Sequence, residues 1–293
     1  MAAPKRSSRS AQREGSSSEP LGRPQREYRS AKHGGCLISL RRSMPAAMLA
    51  AALAACATPA QAPDARRSSF HDMGLALQTM QRDDAQNPAS LWVADGAALW
   101  TRKPQTGRAC AACHDGGGIR DAATRYPVFD ATRGRPVTLP ERVDQCRAQH
   151  QGATMEGADG PEVLALSAWL ARQARGLTIA PPQDPRLTPW RERGERLWRE
   201  RMGQLNMSCA QCHDERAGQR LGGAPIPQAH PVGYPIYRLE WQALGSLERR
   251  LRGCLAGVRA EPFAPGADEW AALEIFLMQR AAGMVHEGTA VRP

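Results

Sequence analysis

Apolar residues recur at helical spacing in four stretches, and the four form two matching pairs. Gly96-Ala-Ala-Leu99-Trp100 and Gly194-Glu-Arg-Leu197-Trp198 each predict a short amphipathic helix. Residues 163–175 and 270–281 each predict a longer one, followed by Gly176 and Gly283 in helix-capping position. A fifth helix-like stretch, 247–255, is strongly basic. Between the pairs, Ala180-Pro-Pro-Gln-Asp-Pro185 breaks the pattern and reads as a linker. Near the start, the apolar run 44–55 follows Arg41 and Arg42 and is too short to span a bilayer as a permanent helix. Residues 1–40 are rich in Ser, Arg and Gly and show no period. The pattern predicts a leader over 1–62, an N-terminal domain over 63–179 and a C-terminal domain over 180–293.

The cysteines fall into the same two halves. Of eight, four lie in Cys110-Ala-Ala-Cys113-His114 and Cys209-Ala-Gln-Cys212-His213. C-x-x-C-H is the attachment signature of c-type haem: two thiols add across the vinyl groups, and the next residue turns its imidazole to the iron. Gly96 stands 14 residues before the first motif and Gly194 stands 15 before the second, so motif and flanking helix repeat together. The expected fold is mostly α, two tandem class I cytochrome c-like domains, each with one covalent haem. Cys110, Cys113, Cys209 and Cys212 are the attachment residues, and His114 and His213 are proximal iron ligands.

Composition changes the picture in two places. Phe, Trp and Tyr number only 15, few for two cores in 293 residues, and a macrocycle in each would supply the missing apolar surface. The net charge of +10 divides into +7 over residues 1–56 and +3 over the rest, so it gives no reason to expect a nucleic-acid partner. The basic leader, its apolar run and Leu53-Ala-Ala-Cys56 predict export to the periplasm. Two endings remain open: lipid anchoring at Cys56, or ordinary cleavage after Ala60-Gln61-Ala62, which Pro63 disfavours.

Each haem needs a second axial ligand, and each domain offers a cysteine at equivalent depth. Cys146 lies 30 residues before Gly176, and Cys254 lies 29 before Gly283. Both are assigned as thiolate ligands, which would lower the haem potential relative to Met. An interdomain disulfide or inert thiols are the alternatives for this pair, and Met155, Met202, Met207 and His230 are the alternative ligands. Arg250 sits four residues before Cys254, one helical turn away on the same face, with Arg249, Arg252 and Arg259 nearby. Such a cluster would activate the thiol and hold an oxyanion by forked hydrogen bonds. Cys146 has Arg142 and Arg147 near it but also Glu141 and Asp144, and so reads as less tuned.

The segments Gly233-Tyr-Pro-Ile-Tyr-Arg-Leu-Glu-Trp241, Gly245-Ser-Leu-Glu-Arg-Arg-Leu-Arg-Gly-Cys254 and Val258-Arg-Ala-Glu-Pro-Phe263 resemble the SoxA family. Arg142-Val-Asp-Gln-Cys-Arg147 is similar to the family's first-domain ligand segment, and the likeness runs from about Ser69 to Pro293. The chain keeps Cys110, Cys113 and His114 and so looks like the two-haem type. The resemblance implies pairing with a SoxX-like monohaem cytochrome and oxidative joining of thiosulfate to a cysteine of a SoxYZ-like carrier. It also implies electron delivery to a downstream c-type cytochrome. It makes Cys254 the active-site cysteine, often a persulfide, and Arg250 the substrate-binding arginine. The other readings are a thiosulfate dehydrogenase forming tetrathionate, and a dihaem carrier without catalysis.

Overall fold

The computed structural model describes residues 65–114 and 118–293; the leader, with Cys36 and Cys56, lies outside the described residues. Among the described residues, nine α-helices carry most of the regular structure: α1 (Leu75–Arg82), α2 (Ser90–Thr101), α3 (Ala122–Arg125), α4 (Leu139–Gln151), α5 (Pro161–Gln173), α6 (Thr188–Arg199), α7 (Cys209–His213), α8 (Leu247–Gly257) and α9 (Asp268–Arg280). The described residues also form seven short strands that serve as hairpins and braces: β1 (Val128–Asp130), β2 (Arg135–Val137), β3 (Arg220–Leu221), β4 (Ala224–Pro225), β5 (Ile236–Arg238), β6 (Ala243–Gly245) and β7 (Val291–Arg292). None of the described helices is long and apolar enough to cross a membrane.

The predicted helices form: α5 and α9 start two residues before the apolar periodicity, α8 starts where predicted, and α2 and α6 start six residues before Gly96 and Gly194. Helix α5 begins at Pro161, whose fixed φ suits a first turn, and α9 begins at Asp268 and Glu269, whose charges favour a helix N-terminus. Helix α4 opens on a reciprocal capping box between Thr138 and Glu141, and α7 on one between Ser208 and Gln211. In the first half, Cys110–Ala112 makes only a 3-10 turn.

Each half is a helix pair crossed closely at a glycine. A Cβ on Gly96 would lie 2.1 Å from the Ala165 carbonyl oxygen of α5. On Gly194 it would lie 2.1 Å from that of Ala272 in α9. Only the missing side chain lets α2 meet α5, and α6 meet α9, this closely. The result is a duplicated scaffold in which each C-x-x-C-H segment follows the first helix of its pair.

The halves join through equivalent segments. Gly176 and Gly283, at φ +84° and +85°, turn the chain just past α5 and α9. Gly176 N–H donates to His286 O and Gly283 N–H to Ile179 O, each at 2.8 Å, around an antiparallel bridge between Thr178 and Val285. Leu244 of β6 buries itself against Ala89, Leu164 and Ala168, and Trp92 meets the Tyr237 ring at 5.7 Å. Asp159 accepts from Ser246 N–H at 3.0 Å and from Arg252 at 2.6 Å, so the first half anchors the start of α8. An internal cavity between the halves is lined by Tyr126, Glu141, Tyr234, Glu248, Glu274 and His286, among others. Segment 65–82 packs on the C-terminal half: Arg66 donates to the Arg280 and Ala282 carbonyls, and Arg67 pairs with Asp72.

Candidate functional site

Two clefts hold the chemistry, one in each half, and each encloses about 400 Å³. The first brings together Cys110, Cys113, His114 and Cys146 with Trp100 and Arg142. The second brings together Cys209, His213 and Cys254 with Trp198 and Arg250. Cys212 is three residues along α7 from Cys209 and half-buried. All six described cysteines are free, and Cys146 and Cys254 line different clefts, so these two thiols are not joined to each other.

The donor chemistry of both clefts fits a covalently attached haem: Cys110, Cys113 and His114 line the first and Cys209 and His213 the second, with Cys212 on the same short helix, and each adds a single thiol from another helix with leucine and tryptophan around it. In the second cleft the fit extends beyond the donors themselves. His213 Nδ1 donates to the Pro227 carbonyl at 2.7 Å, which fixes the tautomer and leaves Nε2 as the free lone pair. Burial, the dominant cause, draws the imidazole below its ordinary pKa and so favours the neutral, ligating form. Behind it, Trp198 is 1% exposed and donates Nε1–H to Asp214 at 2.8 Å. Arg280 lies over the Trp198 ring at 4.7 Å and also pairs with Asp214. In the first cleft Trp100 lies 5.6 Å from the His114 ring, while His114 and Cys113 are exposed.

Burial pushes the Cys209 thiol up to about 11, and Cys254 across the cleft adds to the effect, which places the two sulfurs in one electrostatic environment. In the first cleft burial also raises Cys146, partly offset by Arg142. Of the alternative ligands, Met155 is 57% exposed, and Met202 and Met207 bridge one another; none of the three lines either cleft. His230 does line the second cleft.

The basic cluster predicted around Cys254 is only partly assembled. Arg250 faces the cleft, but Arg249 stacks on Trp241 at 4.3 Å and donates to Leu244 O, and Arg252 pairs with Asp159. Arg259 is exposed at φ +56°, beyond the end of α8. The helical period placed Arg250 correctly but could not place Arg249 and Arg252, which stand on other faces of α8. Cleft arginines instead come from distant segments: Arg220 of β3, Arg238 of β5 and Arg292 of β7. Sequence reasoning missed Arg238, Tyr126 and Tyr234, yet the signal existed. One offset of 108 residues relates Tyr126, Arg142 and Cys146 to Tyr234, Arg250 and Cys254.

Comparison with known proteins agrees with this geometry. The family model for the SoxA/TsdA cytochrome c domain matches twice, over residues 95–179 and 193–285. The L-cysteine S-thiosulfotransferase subunit SoxA of Pseudaminobacter salicylatoxidans is 33% identical over 216 residues, covering 72% of this chain and 76% of that protein. The subunit of the same name from Rhodovulum sulfidophilum is 32% identical, covering 73% of this chain and 76% of its own. The crystal structure of SoxXA from P. pantotrophus superposes with a TM-score of 0.72 at 29% identity, over 78% of this chain and 87% of that one.

Proposed function

The chain belongs to the SoxA family, and on that premise we propose that it is a dihaem L-cysteine S-thiosulfotransferase subunit. It would join thiosulfate oxidatively to a cysteine of a SoxYZ-like carrier protein, in complex with a SoxX-like monohaem cytochrome. One observation carries the reading. Cys254 and Arg250 stand one turn apart on α8 and face the same cleft as the C-x-x-C-H residues Cys209 and His213.

Cys110, Cys113 and His114 would hold one haem, with Cys146 opposite, and Cys209, Cys212 and His213 would hold the other, with Cys254 opposite. When bound, the haems supply one-electron acceptors and, through the thiolate, low potentials. The chain's own residues do the rest. The Arg250 guanidinium binds the sulfonate end of thiosulfate and presents its outer sulfur to the Cys254 sulfur. A sulfur–sulfur bond between Cys254 thiolate and thiosulfate gives Cys254–S–S–SO₃⁻ and releases two electrons. Carrier thiolate then attacks the sulfur that bears the sulfonate. The S–S bond to Cys254 breaks, Cys254 leaves as thiolate, and the carrier departs as the S-thiosulfonate. The electrons pass to a downstream c-type cytochrome. The leader over 1–62, with Arg41 and Arg42 before its apolar run, would direct export to the periplasm before this chemistry begins.

The deciding test follows cytochrome c reduction by thiosulfate with and without a carrier that ends in a cysteine thiol. Reduction that depends on the carrier and leaves a thiosulfonate mass on it supports the transferase. Fast reduction without carrier, with tetrathionate accumulating, moves the assignment to a thiosulfate dehydrogenase. Reduction by neither route leaves an electron carrier.

A further inference from the structure

The two clefts are built on the same template, and they differ in charge at one template position. Hairpin β1–β2 of the first half and β5–β6 of the second share a register: Asp130 pairs with Arg135, and Arg238 with Ala243. The 108-residue offset that superposes Arg142 on Arg250 and Cys146 on Cys254 also superposes Asp130 on Arg238. In the first half Asp130 accepts from Arg142 at 2.8 Å, so that arginine is neutralised inside the protein. In the second half the same position carries another guanidinium. Arg238 lines the cleft with Arg250, and burial followed by the Arg250 charge draws it down from its ordinary value, so the two cations oppose each other.

The counter-charges around this pair are already committed or stand outside. Glu240, 66% exposed, holds Arg238 from the solvent side and leaves its buried Nε without a hydrogen bond. The Arg250 guanidinium has no hydrogen-bond or ion-pair partner among the described residues. Asp72 is paired with Arg67, and Glu287 with Arg292. Arg292 is further occupied by Gln81 and Ser69. Apart from Glu240 on the solvent side, no described carboxylate pairs with either guanidinium, and a bound anion would offset their repulsion.

We propose that Arg238 is a second anion-recognition residue of the Cys254 cleft, forming with Arg250 a two-guanidinium clamp for the sulfonate group of a sulfur oxyanion. Asp130 at the matching position of the first half makes that cleft an electron-transfer site closed to anions. The proposal rests on the transferase reading for its substrate, but the clamp can be tested separately from turnover. Thiosulfate binding to the purified dihaem protein would be measured by calorimetry for the parent, Arg238→Gln, Arg238→Lys and Arg238→Asp, beside kcat and KM with carrier present. Covalent haem content and unfolding midpoint would be recorded for every variant.

Loss of charge-assisted hydrogen bonds predicts a roughly ten- to hundredfold rise in Kd and KM for Arg238→Gln, with kcat much less changed. Arg238→Lys should recover part of that loss, and Arg238→Asp, which recreates the first-half pair, should abolish binding. Arg238→Gln that binds thiosulfate as tightly as the parent, with haem content and midpoint intact, overturns the proposal. A parent that binds no thiosulfate overturns it too. A parent that binds thiosulfate but transfers nothing to a carrier removes the transferase reading, and the binding series still decides the clamp.

Discussion

Cys254 lines the second cleft and Glu274 the cavity between the halves, and each position predicts a behaviour. Cys254 stands opposite the Cys209 wall and contributes nothing to covalent attachment in that assignment. Cys254→Ala is expected to lower thiosulfate turnover at least about a hundredfold, the order lost with a covalent catalyst. The covalent haem content should equal that of the parent, as read by protein mass and by absorbance; loss of a haem would mean that Cys254 has an attachment role. Glu274 faces the internal cavity between the halves, and burial pushes its carboxyl up to about 8, with Glu141 and Glu248 adding to the shift. A carboxyl whose folded pKa is raised favours the fold while protonated in both states, so stability falls as pH rises from about 4.5 to about 8. His286 in the same cavity, drawn down to about 4 by burial, stays neutral above pH 6.5. Glu248 is also raised by burial, a shift of the same sign. Glu141 is paired with Arg135. Between pH 6.5 and 8 the parent should lose roughly 1–2 kcal/mol more stability than Glu274→Gln, measured by denaturant unfolding. Equal slopes would show that the carboxyl is not held neutral.

At the scale of elements, the helix pairs depend on Gly96 and Gly194. Alanine gains about 1 kcal/mol of helix propensity over glycine, but at Gly194 its Cβ would lie 2.1 Å from the Ala272 carbonyl oxygen. Backbone cannot yield there as a flexible side chain would, so the clash wins. Gly194→Ala should destabilise by roughly 1–3 kcal/mol or more, and Gly96→Ala similarly against Ala165. Gly253, in α8 with open space around its Cβ position, provides the control: Gly253→Ala should stabilise by roughly 0.5–1 kcal/mol. Thermal midpoints of the three variants check the ordering. These glycines were visible in the sequence as the shared first residue of Gly-x-x-Leu-Trp, but their reason was not. The close approach belongs to a partner helix about 70–80 residues away.

At the scale of the molecule, helix α8 is fixed by the other half. Asp159 caps the start of α8 through Ser246 N–H and holds Arg252, and these two partners flank Arg250 in sequence, Cys254 following two residues later. Asp159→Ala leaves a buried N–H and a cation without their acceptor, at a cost of roughly 1–3 kcal/mol. The expected result is a lower unfolding midpoint with covalent haem content unchanged; an unaltered midpoint would show that the anchor contributes nothing. The same cross-bracing makes the two halves one body although the sequence divides at a proline-rich linker. The tail reaches back, with Thr289 donating to Ala168 O and Asn87 donating to Thr289 O. The N-terminal segment in turn closes over the second cleft, which Ser69, Asp72 and Met73 help to line.

Local chemistry was legible in the chain itself. The C-x-x-C-H motifs, their flanking helices, the duplicated cysteines and the one-turn spacing of Arg250 and Cys254 depend on neighbours within a few residues, so periodicity and spacing reveal them. Which arginines reach the second cleft was decided only by tertiary structure. Arg249 and Arg252 are neighbours of Cys254 in sequence, yet Trp241 and Asp159 hold them elsewhere. Arg238 and Arg292 are brought in by strands β5 and β7, which pair with each other. A side chain's partner is set by the direction in which its element presents it, and that direction is fixed by packing against segments far along the chain.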